Sequence, residues 1–520
     1  MIGIVGVFMD EKEIGTVISS PEGPSPSALD FVVHAGVLHR GQFVELDYPQ
    51  GTMVCLVTEV MKSNKYFERF ESVKEFESSG TKLFEQFPAS EWEYLIAKSR
   101  PLGVYENGMQ KRPSFPPSPG TKVRIAQKET LEKFLGLDLE RGLRLGEIEH
   151  HGVSVKLNLS RLLQKHLAVL AMSGAGKSYF TSVLFEELLS RKKDDGRIAV
   201  IVMDAHGEYK NFADPVTGPA YKDFSSVTRY VKATEIQIGV PKLSMGLLST
   251  ILPGISSPQK RDLSRIIEKL KSQMREGTGP FDFTDVKGAI FSDSEMKDNT
   301  KQALTGWIMS LEQMGLFGRT DSPSLNDLVS PGKLTIIDLS EIIDMKKKQI
   351  IVAYYAYKLF SERRHKKICP FNLVLEEAHQ FAPEKVSKES AVSRGIVETI
   401  AREGRKFGAS ITLISQRPIN LSATALSQCN THIILRVTNP YDIDHIGKTS
   451  EGLDSRSLQM ITTMRTGEAL IVGEAVNFPV FFKVRKRLSQ ESAHETTLEG
   501  SARDFEDAKE QTGKDIGNYL

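Results

Sequence analysis

The residues best suited to chemistry lie in one run, Ala171-Met172-Ser173-Gly174-Ala175-Gly176-Lys177-Ser178. Its glycines let the backbone turn tightly, so that successive N–H groups can converge on phosphate oxygens. Lys177 then offers a cation to the β- and γ-phosphates, and Ser178 a hydroxyl ligand for Mg2+. The run departs from the pattern GxxxxGK[ST] at one position: Ala171 stands where the first glycine is usual, and its small side chain is tolerable there. The apolar HLAVLA (166–171) precedes the turn and the amphipathic YFTSVLFEELLSR (179–191) follows it. That is the strand, loop and helix a phosphate cradle needs, the helix N-terminus adding partial positive charge. A chance glycine-rich turn accounts for the glycines but not for a Lys-Ser pair at the start of a helix. The expected cradle is Ser173, Gly174, Ala175, Gly176, Lys177, Ser178 and the adjoining Tyr179; the expected ligands are ATP and Mg2+.

Hydrolysis needs carboxylates as well, and FNLVLEE (371–377) ends a buried apolar run with two. Glu376 takes the place that supports Mg2+ through water, and Glu377 the place that orients and polarises the attacking water. Two more apolar runs end in polar groups: DAHGEY (204–209), where Asp204 and Glu208 are candidates to support metal or water, and SQRP (415–418), where Gln416 suits contact with the γ-phosphate or its water. His206 has no metal partner at ligand spacing, and a structural histidine explains it equally well. In AREGRKFG (401–408), Arg402 and Arg405 stand three apart on one face of an expected helix that ends near a glycine. Alone they would read as a solvated basic helix end. Beside an assembled ATPase site they read better as arginines aimed at a neighbouring subunit's γ-phosphate, where they would stabilise transition-state charge.

These groups need a common platform. Buried runs of Val, Ile and Leu (HLAVLA, RIAVIVMD, KLTIIDLS, NLVLEE, ASITLIS, HIILRV, EALIVG) alternate with helical segments from about residue 166, which predicts an α/β fold with a parallel-rich sheet covered on both faces. In such sheets sites form at the carboxyl ends of the strands. Residues 241–328 break the alternation with helix-like stretches and predict an α-helical insertion. The first 130 residues are different, with short β-type runs (IGIVGVF, DFVVHA, FVELDY, TMVCLVTEV, TKVRIA), a helical-looking stretch at 63–97 and a proline-rich loop at 112–120. They predict a small barrel or sandwich. The expected organisation is an N-terminal β-barrel at 1–150, the ATPase domain at 151–485 and a polar C-terminal arm at 486–520.

The chain has 520 residues, 40% hydrophobic and 26% charged, which excludes a single small module and global disorder. With 67 basic and 66 acidic side chains, net charge +1, a polyanion would have to be held by local basic patches. Three scattered cysteines (Cys55, Cys369, Cys429) without a CxxC pair argue against a disulfide framework and against a zinc site of ordinary spacing. No targeting segment or run near the ~18 apolar residues of a membrane span is evident. A soluble protein of the reducing cytoplasm, without membrane contact, is expected.

Taken together, KHLAVLAMSGAGKS (165–178), DAHGEY (204–209), LVLEEAH (373–379), AREGRKFG (401–408), SQRP (415–418) and ILRVTNPYD (434–442) resemble the HerA family of hexameric DNA translocases within the HerA/FtsK group of P-loop ATPases. The six segments occur in family order and span nearly the whole ATPase core. The resemblance implies a RecA-like P-loop core behind an N-terminal barrel. It also implies a homohexamer that hydrolyses ATP at subunit interfaces, moves duplex DNA through its channel without reading sequence, and works with a NurA-type nuclease in DNA end resection. By position it makes Arg402 the trans-acting arginine finger and sets Lys165 where family members often carry an arginine near the nucleotide. It makes the barrel the nuclease docking surface and lets the arm brace neighbouring subunits.

A sequence-independent channel needs phosphate-facing cations, not base readers. Lys385, Lys388 and Arg394 in PEKVSKESAVSR (383–394), and the cluster Arg363-Arg364-His365-Lys366-Lys367, are candidates, with solvated surface as the plainer reading for each. Two other functions fit the same core: an ATP-gated scaffold that switches a nuclease, and a related ring motor for conjugation or DNA packaging.

Overall fold

The structure, a computed structural model, describes all residues except 1–12, 21–22, 35, 65–73, 75–77, 79–92, 107, 217, 253, 387–389, 451, 492–498, 504 and 507–520. The chain forms two compact units. One comprises Met1–Asn158, Glu451–Met464 and Glu468–Val484; the other comprises Leu159–Ser450, Arg465–Gly467 and Arg485–Leu520.

The first unit opens with seven antiparallel strands: β1 (Glu13–Ile18), β2 (Leu29–Val33), β3 (Phe43–Tyr48), β4 (Gly51–Asn64), β5 (Glu93–Glu106), β6 (Met109–Lys111) and β7 (Lys122–Ile125). Their order is β2-β1-β7-β3-β4-β5-β6, and a further pairing of β2 with β5 closes six of them into a barrel. Closure removes the exposed edges that a small sheet would otherwise present. Alternation fills the interior, as in β2, where Leu29, Phe31 and Val33 are buried and Asp30 and Val32 only half so; Val44, Leu46, Met53, Cys55, Val57 and Val104 join them. Two expectations change here. The helical-looking stretch at 63–97 is strand at both ends, because β4 and β5 run 14 residues each as one long antiparallel pair. The intervening residues 65–73, 75–77 and 79–92, and IGIVGVF at 2–8, lie outside the described residues. The unit is completed by β8 (Leu143–Ile148) and β9 (Val153–Leu157) with the C-terminal pair Glu468–Gly473 and Val480–Val484. EALIVG, grouped by its apolar run with the parallel strands, pairs antiparallel with Val480–Val484.

The second unit holds parallel strands β10 (Leu167–Leu170), β11 (Ala199–Asp204), β12 (Thr228–Lys232), β15 (Leu334–Asp338), β16 (Phe371–Leu375), β17 (Ala409–Ser415) and β18 (Thr431–Ile434), in the order β12-β15-β11-β16-β17-β10-β18; β13 (Ile238–Gly239) and β14 (Phe317–Gly318) form a separate short parallel pair. Every residue of β10, β11, β15, β16, β17 and β18 is buried, as helices on both faces require. Between β13 and β14 the insertion folds as helices Met245–Ile251, Ser257–Gln273, Phe283–Phe291 and Asp298–Gln313. Ser256 with Gln259, and Asp282 with Asp285, form capping boxes that fix where two of them start. The beginning of the C-terminal arm is held by its own chain: buried Glu186 accepts from Arg485 (2.8 Å), the Leu488 N–H (2.8 Å), and the Ser489 N–H and hydroxyl (2.7 Å each). Among the described residues no helix is long and apolar enough to cross a membrane.

Two histidines make the second unit sensitive to acid. His166 accepts from the Ile411 N–H at 3.1 Å and His432 pairs with the Ser450 hydroxyl; burial pulls both pKa values down to about 4. The unfolded chain, with histidines near 6.5, binds more protons between those values. Stability from each is therefore fully present above about pH 6.5 and is lost as pH falls toward 4, on the order of 3 kcal/mol apiece. Denaturant midpoints across pH 4–7.5 should fall in that window, and His432→Asn should reduce the slope by one proton whatever its effect at neutral pH. An unchanged slope would show that His432 takes up its proton without unfolding.

Candidate nucleotide-binding site

Strand β10 ends at Leu170, and residues 171–176 lead into the helix Lys177–Leu189. Gly174 (φ 73°) and Gly176 (φ 95°) both take the left-handed backbone that side chains resist. Neighbouring strand ends pin the entry to the turn, through Ala171 N–H to Ser415 O (3.2 Å) and Met172 N–H to Arg436 O (2.9 Å). Gly176 is the N-cap, and no side chain caps this helix, so its first N–H groups stay open to an anion.

The lysine that follows is buried, with Nζ 2.5 Å from Glu377 Oε1 and 3.3 Å from Glu376 Oε1. Both glutamates follow β16, and the pairing of Leu375 with Met203 sets Glu376 level with Asp204. Glu377 is left-handed (φ 49°, ψ 47°) and starts the short turn Ala378–Gln380. A glutamate holds that backbone only when its surroundings over-determine it, and here the ion pair and the turn do so. On its other side Glu377 Oε2 lies 3.3 Å from His379 Nδ1, which is 3.2 Å from the Ser415 hydroxyl.

Asp204 is bonded to the backbone that follows it. Its Oδ1 accepts from the N–H groups of His206 (3.3 Å), Gly207 (2.8 Å) and Glu208 (3.1 Å), and its Oδ2 from Tyr209 N–H (3.0 Å). With both oxygens accepting from the backbone, Asp204 organises the turn. The turn delivers Glu208, whose carboxylate accepts the Ser178 hydroxyl.

Carboxylates outnumber cations in this pocket. Burial, and then the charge of Asp204, push Glu376 well above the usual carboxylate range, and burial also raises Asp204. Burial alone would lower Lys177, but the charges of Glu376 and Glu377 raise it overall. Neither Glu376 carboxylate oxygen has a hydrogen-bond partner among the described residues. Two buried acceptor oxygens beside the Ser178 hydroxyl and the Glu208 carboxylate fit a hydrated Mg2+, which would supply the missing donors.

Other expected residues are placed apart. Ser173 and Gly174 are exposed in the cradle, Ala175 is buried and Gly176 half-buried; half-buried Gln416 lies just past β17 on the same sheet edge. Tyr179 turns toward the C-terminal segment: its hydroxyl accepts from Arg487 N–H (2.9 Å), and the Arg487 guanidinium lies 5.9 Å from its ring centroid. Lys165 precedes the amino end of β10, and at roughly 3.3 Å per residue the length of that strand separates it from its own phosphate loop. Arg402, on the helix Arg394–Glu403, is exposed and 4.0 Å from Glu398; Arg405 is exposed in the following turn. Among the described residues neither arginine has a hydrogen bond or ion pair to the P-loop.

Of the basic residues offered for DNA, Arg394 is engaged internally by Glu398 (2.7 Å) and Glu384 O (2.9 Å), and Arg363 by Phe407 O (2.6 Å) and Ile368 O (2.9 Å). Lys385 is exposed, and Lys388 lies outside the described residues. Sequence reasoning missed Asp338, at the end of β15, which accepts from Tyr230 OH (2.5 Å) and Ser340 N–H (2.8 Å). The strand-end logic that found Asp204 applies equally to KLTIIDLS. Buried Lys348 and Gln349 carried no such signal inside the polar run MKKKQ.

Residues 143–359 match the family model described as "Helicase HerA, central domain". A probable helicase of Methanocaldococcus jannaschii, MJ1565, is 28% identical over 482 residues, covering 86% of this chain and 86% of that protein. The DNA double-strand break repair helicase HerA of Pyrococcus furiosus is 28% identical over 501 residues, covering 85% of this chain and 87% of its own length. Among solved structures, VirB4 of Thermoanaerobacter pseudethanolicus is similar in fold, with a TM-score of 0.52 at 14% identity over 67% of this chain and 98% of that one.

Lys177 is the cation beside two buried carboxylates, so removing it should destabilise the protein. Lys177→Ala should cost about 3 kcal/mol in urea unfolding at pH 8. The cost should shrink as pH falls, because Glu376, already raised, takes up a proton and ends the repulsion. A penalty that does not change with pH would mean the two glutamates do not share one charge balance with Lys177.

Proposed function

We propose that the chain is a HerA-type protein, an ATP-hydrolysing helicase and translocase of duplex DNA, as the match of its central residues 143–359 and its HerA-named relatives support. In this reading it acts in the cytoplasm as a homohexameric ring that holds DNA without regard to sequence and works with a NurA-like nuclease in end resection and recombinational repair. The observation that carries the reading is the meeting of Lys177 with Glu376 and Glu377, two hundred residues away in the chain, at the mouth of a glycine turn.

The residues divide the work as follows. Lys177 exchanges Glu377 for the β- and γ-phosphates, while the backbone of Ser173, Gly174, Ala175 and Gly176 donates to phosphate oxygens. Ser178, Glu208 and Glu376 would hold a hydrated Mg2+, Glu376 through water. Mg2+, when bound, neutralises charge on the phosphates. Release from Lys177 leaves Glu377 free to orient the attacking water, helped by His379 on its far oxygen. Gln416 reports on the γ-phosphate from the next strand end. Arg402, with Arg405 behind it, serves the neighbouring subunit's site; its exposure and its loose hold on Glu398 support that direction. Lys165, at the far end of β10, would act on a neighbour's nucleotide if on any. Unpaired cysteines at 55, 369 and 429 suit a reducing compartment.

Steady-state hydrolysis with and without linear duplex DNA tests this. Wild type should be strongly stimulated by DNA, Glu377→Gln should lose roughly 100-fold or more while still binding ATP, and Arg402→Ala should lose roughly 1,000-fold. Lys177→Ala subunits mixed into wild type should poison more than their share of sites. Hydrolysis indifferent to DNA would favour the nuclease-switch reading, and full activity in Arg402→Ala would remove the shared site.

A further inference from the structure

We propose that Gln349 is a positioning residue that ties the helix carrying Arg402 to the state of Glu377; the inference rests on the hydrolytic reading above. The helix Met345–Arg364 is capped by Asp344, which accepts from Lys346 N–H at 2.9 Å. Two consecutive buried side chains near its start reach two different loops. Lys348 Nζ lies 3.4 Å from Ala205 O, in the turn that presents Glu208 to Ser178. Gln349 Nε2 donates to Gln380 O at 2.8 Å, and its Oε1 accepts from Val392 N–H at 3.1 Å.

The partners of Gln349 give it significance. Gln380 N–H donates to Glu377 O at 2.8 Å, closing the turn that Glu377 starts in its left-handed conformation. Val392 precedes Ser393, the N-cap of Arg394–Glu403, and the Ser393 hydroxyl donates to Phe381 O at 2.6 Å. One planar amide, with a donor on one side and an acceptor on the other, thus spans from the turn of the catalytic glutamate to the amino end of the arginine helix. Gln349 is 5% exposed, so breaking either bond leaves a buried polar group unpaired. When Lys177 leaves Glu377 for phosphate, the ion pair that steadies this turn is lost. Any shift of Gln380 then moves Val392 through a link with little slack. A subunit's nucleotide state would in this way set where its own arginine stands against its neighbour.

The test compares wild type, Gln349→Leu, Gln349→Glu, Arg402→Ala and Gln349→Leu/Arg402→Ala, assembled as full chains with linear duplex DNA. ATP turnover gives kcat and KM, and a fluorescent ATP analogue gives Kd. Leucine removes both hydrogen bonds at similar volume; glutamate keeps the acceptor for Val392 but cannot donate to Gln380, and it serves alone if the leucine variant does not fold. The link predicts a kcat about 10- to 100-fold lower in both variants, with Kd and KM within about twofold of wild type. It also predicts that Gln349→Leu adds little to the loss already caused by Arg402→Ala, because residues acting through one step are not additive. A kcat near wild type in either variant, or losses that multiply fully in the double variant, would overturn the link. Hydrolysis that needs Arg402 but not Gln349 sinks this inference alone. Hydrolysis absent from wild type, or indifferent to Arg402, sinks the ring reading and this inference with it.

Discussion

Two glutamates buried side by side at the end of a strand cannot both stay charged without a cation, and the second unit is organised around that constraint. Isolated, either carboxylate would take up a proton. Lys177 reaches both from the opposite side of β17, which separates β16 from β10 in the sheet. The strand order is therefore what makes the pair possible. With β10 and β16 flanking one strand, the turn after the first and the acids after the second are neighbours, although 200 residues of chain lie between them. In the resting protein the lysine compensates the acids. In the proposed cycle phosphate takes their place, so the groups that stabilise the empty fold are the ones released for chemistry.

Around this centre the backbone is held by side chains that do no chemistry themselves. Asp204 gathers four N–H groups and shapes the turn that carries Glu208. Gly404 makes room at the other side of the sheet: a Cβ there would lie 2.2 Å from Ala409 O, so the arginine helix can run straight into β17 only with glycine at that position. Glu186, on the P-loop helix, anchors the chain at 485–489. Asp204 and Glu186 are buried polar groups with hydrogen bonds made, and such groups specify one arrangement more than they add stability.

Much of this was legible in the sequence because the signals were local. A strand, two glycines, Lys-Ser and a helix occur in one continuous run, and apolar strands ending in Asp or Glu are visible without knowing their neighbours. The fold class, the helical insertion and the N-terminal barrel followed from periodicity and breaks in it. Which side chains would hold the backbone or each other was harder to read. Nothing in DAHGEY announces that Asp204 gathers four N–H groups of its own turn, and nothing beside the cradle announces that the Tyr179 hydroxyl accepts from Arg487. Helical propensity at 63–97 gave way at both ends to a long strand pairing that no local pattern announces. Gln349 is one letter in MKKKQ, and only the closeness of Gln380 and Val392 distinguishes it from its neighbours.

The arginine helix shows how one short segment separates structural from available charge. Arg394 and Arg402 both approach Glu398, which is mostly buried and is held below the ordinary carboxylate range: burial opposes that shift, while bonds from Arg394 and the Ser422 hydroxyl outweigh it. Arg394 is 2.7 Å from that carboxylate, is also bonded to Glu384 O, and is only 17% exposed. Arg402 is 4.0 Å away and half-exposed, a geometry that holds the side chain loosely. Glu398 already has its strong donors, so drawing Arg402 toward an outside anion leaves no buried charge unpaired. Moving Arg394 would leave one, because among the described residues its partners have no other cation of comparable proximity. A sequence shows two arginines eight residues apart; their unequal burial makes one a fixture of the fold and leaves the other loosely held, as the proposed role across an interface requires.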